Sequence, residues 1–183
     1  MKTGPRYKLP FKRRFEKKTN YRKRLGLLLS EKPRVVIRTS NKHTKTQIIK
    51  YETDGDKTLI SANSQDLKKL GWKYSTSNLP AAYLTGLLVG QKAKKNKIKD
   101  IVVDLGVQRT VKGSRLYATI KGIIDAGIKV PCSEEVLPSE ERIKGEHIVK
   151  YSKTDTYKTQ FSKVKPDKMV EDFEKAKEKI MKG

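Results

Sequence analysis

Three successive stretches, 34–40, 45–52 and 57–63, are rich in β-branched and apolar residues, with the polar Asn41-Lys42-His43 and Thr53-Asp54-Gly55-Asp56 between them. Short runs of that composition bounded by turn residues read as strands, so these stretches predict an antiparallel meander. On either side apolar residues recur at helical spacing. Tyr21, Leu25, Leu28 and Leu29 share one helical face behind a cap at Thr19 or Asn20, and Glu31-Lys32-Pro33 ends the run, which predicts a docked helix. Ser64 opens a short helix through Leu67 and Leu70 that stops at Gly71. Asn78 caps a longer one with Pro80 in its first turn and Ala82, Tyr83, Gly86, Leu87, Gly90 and Ala93 at helical spacing. Gly86 and Gly90 in that helix suit close packing against another element.

The run Ile101-Val102-Val103-Asp104-Leu105 predicts a buried strand. A helix from Ser114 follows, carrying Leu116, Ile120, Ile123 and Ile124 to a stop at Gly127, and Ile128-Lys129-Val130 begins another extended piece. Strand, helix and strand in that order predict a βαβ unit. The fold class is therefore α/β (mixed α+β), with a mixed, partly antiparallel sheet flanked by helices. Beyond Ser133 acids and bases alternate, with a helix expected over 139–149. A last helix starts at Asp167, and its stripe of Met169, Val170, Phe173, Ala176 and Ile180 is read as docking on the chain's own core in preference to a partner. Three parts follow: a basic arm over 1–24, an α/β core over 25–132 and a helical charged extension over 133–183.

Charge changes the picture most at the front. Residues 1–24 carry eleven Lys or Arg against one acid, residues 25–132 twenty against eight, and residues 133–183 twelve against eleven. An arm and a body with that excess repel themselves until a polyanion neutralises them. The arm also interleaves aromatic rings with its cations. Arg6, Lys8, Lys12, Arg13, Arg14, Lys17, Lys18, Arg22 and Arg24 can replace condensed counterions on phosphates, while Tyr7, Phe11 and Tyr21 can stack on bases or pin the arm to the body. A tail that only solubilised the chain would gain nothing from the rings, so RNA is the expected partner.

A second candidate surface runs from Arg38 to Gln47. Ser40, Asn41, His43 and Gln47 can bond base edges or ribose hydroxyls, and Arg38, Lys42 and Lys45 can meet phosphates; an ordinary hydrophilic hairpin would read the same way were the arm not beside it. In the loop after residue 105, Lys112 and Arg115 either touch a phosphate backbone at a helix start or form a plain connection, and the Gly-Lys-Ser/Thr order of a nucleotide-binding loop is missing. Cys132 is the only cysteine, which excludes a disulfide framework and a zinc cluster, and no cofactor is expected. Neither His43 nor His147 has the neighbours of a catalytic unit. A magnesium nuclease would require Asp54, Asp104 and Asp125 to gather, whereas each fits a structural place, in a turn, at a strand end and in a last helical turn. With no apolar stretch of signal-peptide or membrane-spanning length, a soluble cytoplasmic protein is expected.

Several segments, taken in order, resemble a known family. Gly4-Pro5-Arg6-Tyr7-Lys8-Leu9-Pro10-Phe11-Lys12-Arg13-Arg14, Thr19-Asn20-Tyr21, Lys32-Pro33-Arg34 and Ser40-Asn41-Lys42-His43 are followed by Gly71-Trp72 and Asn78-Leu79-Pro80-Ala81-Ala82-Tyr83-Leu84-Thr85-Gly86-Leu87-Leu88. Val103-Asp104-Leu105-Gly106 and Asp125-Ala126-Gly127-Ile128-Lys129-Val130-Pro131 continue the series to about residue 150. Together they resemble the archaeal branch of the 5S rRNA-binding ribosomal proteins, called large-subunit protein eighteen in bacteria and archaea and protein five in eukaryotes. The resemblance implies a structural, non-catalytic part of the large subunit, with 5S rRNA, large-subunit rRNA and neighbouring ribosomal proteins as partners. It implies no membrane and no obligate homo-oligomer. It further implies that the arm threads between the two RNAs and that the strand side from Arg38 to Gln47 faces 5S rRNA. A ribosome-assembly factor that leaves its RNA after use is the alternative within the binding class.

Overall fold

The computed structural model describes residues 4–154, 161 and 164–182; Lys2 of the predicted arm lies outside them. Three antiparallel strands form the meander, β1 (Arg34–Thr39), β2 (Thr44–Glu52) and β3 (Gly55–Asn63), and β4 (Val102–Asp104) joins β1 in parallel. The sheet order is β3-β2-β1-β4. The sheet is mixed and partly antiparallel as expected, although its parallel pair is β1 with β4. The second half of the βαβ unit is slighter than expected, because residues 128–130 contribute only one parallel bridge, Asp100 to Lys129. Pro131 follows at once and has no N–H to extend a ladder.

Helices α1 (Lys12–Phe15) and α2 (Tyr21–Leu28) precede the sheet. Helices α3 (Leu79–Lys95) and α4 (Arg115–Asp125) pack on its inner face, where Val35, Ile37, Ile48, Ile60 and Ala62 are buried together with Ile120 and Ile123. A second apolar cluster lies on the other side of α3. There Leu67, Trp72, Tyr83, Leu84 and Leu87 meet Met169, Phe173, Ala176 and Ile180 of the last helix, α7 (Met169–Lys182). The stripe of α7 thus docks on the chain's own core, and only Val170 of the five stripe residues stays half-exposed.

Helix α3 serves both clusters because it lies unusually close to α4. A Cβ on Gly86 would overlap the Thr119 carbonyl, and one on Gly122 would overlap the Tyr83 carbonyl, so the two backbones touch where a side chain would hold them apart. Asn78 caps α3 as predicted, its Oδ1 accepting the Ala81 N–H at 2.9 Å. The 64–70 segment is a 3-10 helix whose cap is Asn63 instead of Ser64. The Ser64 hydroxyl instead accepts the Thr44 N–H at 3.0 Å.

The helix expected over 139–149 is broken in two, α5 (Glu140–Lys144) and α6 (Glu146–Ser152). Gly145 between them takes φ 85°, a left-handed conformation that suits glycine, and sits against Pro80 and Met169, where a Cβ would find atoms within 3.0 Å. The predicted face of α2 is not buried either. Leu25 is 61% exposed and Leu29 78%, so this helix is held by polar contacts and by the half-buried Leu27 and Leu28.

Candidate nucleic-acid interface

The outer face of the sheet carries Arg34, Val36 and Arg38 from β1 against Ile49, Gln47 and Lys45 of β2, in register. Among the described residues no long helix covers this face. Instead α2 and the segment before it stand across it, and the space between is a cleft of about 810 Å³. Arg13, Lys18, Lys23 and Arg24 line one wall, and Arg38, Gln47 and Gln108 line the other.

Two carboxylates hold the cleft's floor in shape. Arg34, with only 3% of its side chain exposed, donates to Asp56 at 3.0 Å and to Asp104 at 2.9 Å, and Arg24 of α2 donates to the same Asp56 at 3.0 Å. Burying a guanidinium is costly unless it is paired on several sides, and here it is. Asp56 therefore ties α2 to the sheet. Arg38 stays nearly half exposed, bonding the carbonyls of Ile37 and Asp104 and leaving part of its fork toward the cleft. Gln108 caps the strand end by accepting from Thr39 N–H and hydroxyl while donating to the Ile37 carbonyl.

Arm residues divide by what they already touch. Arg13 donates to Thr19 and Lys18 pairs with Glu16, whereas Arg6, Lys8, Lys12, Arg14, Lys17 and Arg22 are exposed without an ion pair among the described residues. Phe11 packs on Tyr21, ring centroids 5.5 Å apart, and Phe11 is nevertheless 74% exposed and Tyr7 49%. One ring thus braces the other while keeping a face to solvent. Such an arm can bring cations and aromatic faces to a polyanion together.

The predicted surface over 38–47 does not stay on one side. Lys45 and Gln47 point with Arg38 to the outer face, whereas Lys42 and His43 turn to a second concavity beside α3. The His43 ring is committed on both nitrogens, to Thr76 at 3.0 Å and to Gln65 at 2.9 Å, and the Ser40 hydroxyl both accepts the His43 N–H and donates to the His43 carbonyl. Both residues fasten the turn, leaving Asn41 and Lys42 exposed at its tip. Arg115 has a similar task, donating to the carbonyls of Ser40 and Ser77 at 3.0 Å and so tying the turn to the start of α3, while Lys112 projects from its loop.

The aspartates of a would-be nuclease are not brought together. Asp104 accepts from Arg34, Asp125 accepts the Tyr83 hydroxyl at 2.8 Å and pairs with Lys121, and no group of three His, Cys, Asp or Glu is placed to hold a metal among the described residues. No helix among them is long and apolar enough to cross a membrane. Sequence reasoning missed Arg34 as the hub of the floor and Lys68 and Lys73 beside the second concavity.

A mixed sheet with a cation-lined outer cleft and a projecting basic arm defines a protein of the nucleic-acid-binding class. A family model, described as ribosomal large subunit proteins 60S L5, and 50S L18, matches residues 5–101, which takes in the arm, the meander, α3 and the lead-in to β4. The chain belongs to this family of large-subunit ribosomal proteins. The segments at 103–106 and 125–131 that share the resemblance lie beyond the matched residues.

Proposed function

We propose that the chain is a structural constituent of the large subunit that binds 5S rRNA and helps attach it to large-subunit rRNA in the cytoplasmic ribosome. The observation that carries this reading is the cleft itself, which has cations on both walls and carboxylates only where Arg24 and Arg34 already neutralise them. An RNA backbone entering it would meet Arg13, Lys18, Lys23 and Arg38, while Gln47 offers both a donor and an acceptor to a base edge or a 2′-hydroxyl. The arm beyond it, exposed on nearly every side chain, would reach a second RNA segment and hold the two together. Binding, with no turnover, is the whole of the mechanism, and neighbouring ribosomal proteins complete the setting.

Sedimentation tests permanence against transience. A structural component stays with mature large subunits through salt washes in high magnesium. Recovery chiefly on precursor particles would favour the assembly factor.

A further inference from the structure

The second concavity has a composition that the outer cleft does not explain. Its volume is about 830 Å³, and it lies between the tip of the 40–43 turn, the loop over 73–78 and the lead-in to α7. Lys42, Lys68 and Lys73 stand on its rim, all exposed and none with an ion pair among the described residues. Among the described residues no carboxylate lines it. Its floor is apolar, with Ile148, Pro166 and Met169 half-buried or buried. The hydroxyls beside the floor are already used, Thr76 donating to the Lys42 carbonyl and Ser75 bonding Ser77, so the three lysines and the Asn41 amide are the polar groups left to meet a ligand among the described residues.

Three cations over an apolar floor, in a space within the roughly 300–1,000 Å³ of small-molecule pockets, fit a nucleotide with its base on the floor and its phosphates outward. We propose that this concavity is a second RNA site, taking one unpaired nucleotide of a single strand, with Lys42, Lys68 and Lys73 on the flanking phosphates. It rests on the reading of the chain as an rRNA-binding protein and adds a place for a strand other than the one in the outer cleft. The two sites differ in position: Arg38, Lys45 and Gln47 face out from the sheet, whereas Lys42 leans toward α3 over the end of the same hairpin. One turn therefore separates two strands, and its rigid fastening by His43, Ser40 and Arg115 sets their spacing. An acidic peptide would satisfy the lysines too, but its carboxylates would leave the apolar floor uncovered, whereas a base can lie on it.

The test uses the full chain, free and saturated with 5S rRNA, and a fluorescently labelled hexauridylate as probe. Fluorescence anisotropy is expected to show the probe binding the chain already saturated with 5S rRNA. The Lys68→Ala/Lys73→Ala double variant should bind it on the order of tenfold more weakly, with a log–log salt slope shallower by about 1.4 for two lost single-strand contacts. Lys68→Arg/Lys73→Arg should restore binding, and the double alanine variant should keep its 5S rRNA affinity. No probe binding to the saturated chain, or equal binding by the alanine variant, would overturn the proposal. Displacement of the probe by hexaglutamate at lower concentration than by unlabelled hexauridylate would overturn it in favour of a protein tail. If the free chain shows no preference for 5S rRNA yet the lysine variants still change probe binding, the functional reading fails while this site stands.

Discussion

Arg34 donates through one nitrogen to both carboxylate oxygens of Asp56, each at 3.0 Å, and through the other to Asp104. Its partners lie 22 and 70 residues away in the chain, so a single guanidinium joins β1, the start of β3 and the end of β4. Arg24 extends the same network to α2. The floor of the outer cleft and the stance of its upper wall thus depend on one buried charge.

Asp56→Ala is expected to lower the unfolding free energy by about 2 kcal/mol, since Arg34 keeps Asp104 but one of its buried terminal nitrogens loses its acceptors. Urea denaturation measures it. The same variant frees Arg24, so amide exchange in α2 should quicken beyond what the loss of global stability explains.

Close approach of α3 and α4 makes a second prediction. Gly86→Ala and Gly122→Ala each place a methyl group on a backbone carbonyl, and each should cost on the order of 3 kcal/mol or more, because backbone cannot step aside as a side chain can. Gly26→Ala in α2 meets nothing within 4 Å and should stabilise by about 0.5–1 kcal/mol through helix propensity. Thermal melts of the three variants should separate cleanly in sign.

Tyr74 supplies the pH dependence. Burial, then the hydrogen bond it donates to Asp172 at 3.0 Å, pushes its hydroxyl up to about 12 from 10.0. A folded-state value above the unfolded one means stability that is complete below pH 10 and is lost as pH rises toward 12. Tyr74→Phe should therefore lose less stability over that window than the parent. At neutral pH it should be weaker by about 1 kcal/mol for the missing bond between α7 and the 71–78 loop.

The β-rich runs and the turns between them placed the meander well: strands expected over 34–40, 45–52 and 57–63 fold over Arg34–Thr39, Thr44–Glu52 and Gly55–Asn63. The Asn78 cap and the α7 stripe were equally legible, because caps and amphipathic periods are written in neighbouring residues. The 21–29 face misled in part, since Leu25 and Leu29 satisfy the helical period yet stay exposed where an RNA or a protein can cover them, while Tyr21 and Leu28 are half-buried. Pairings across the chain were out of reach. Nothing near Arg34 in sequence announces Asp104, and nothing near Arg115 announces the carbonyls of Ser40 and Ser77, so the sequence marked 38–47 as one surface when its internal ties divide it in two.

The arm's contribution can be read from salt dependence. Deleting residues 1–18 removes the exposed Arg6, Lys8, Lys12, Arg14 and Lys17, and the log–log slope of 5S rRNA binding should become shallower by about 4, at roughly 0.7–0.9 per phosphate contact. Arg13 and Lys18, already bonded to Thr19 and Glu16, would add less. An unchanged slope would mean that the arm lies away from RNA.

Selective recognition of one RNA is decided by equilibrium competition between 5S rRNA and an unrelated transcript of the same length, at physiological ionic strength. 5S rRNA should be preferred by on the order of a thousandfold or more, the margin of specific over non-specific nucleic-acid binding. Equal affinity for the two RNAs would rule out 5S rRNA as the specific partner.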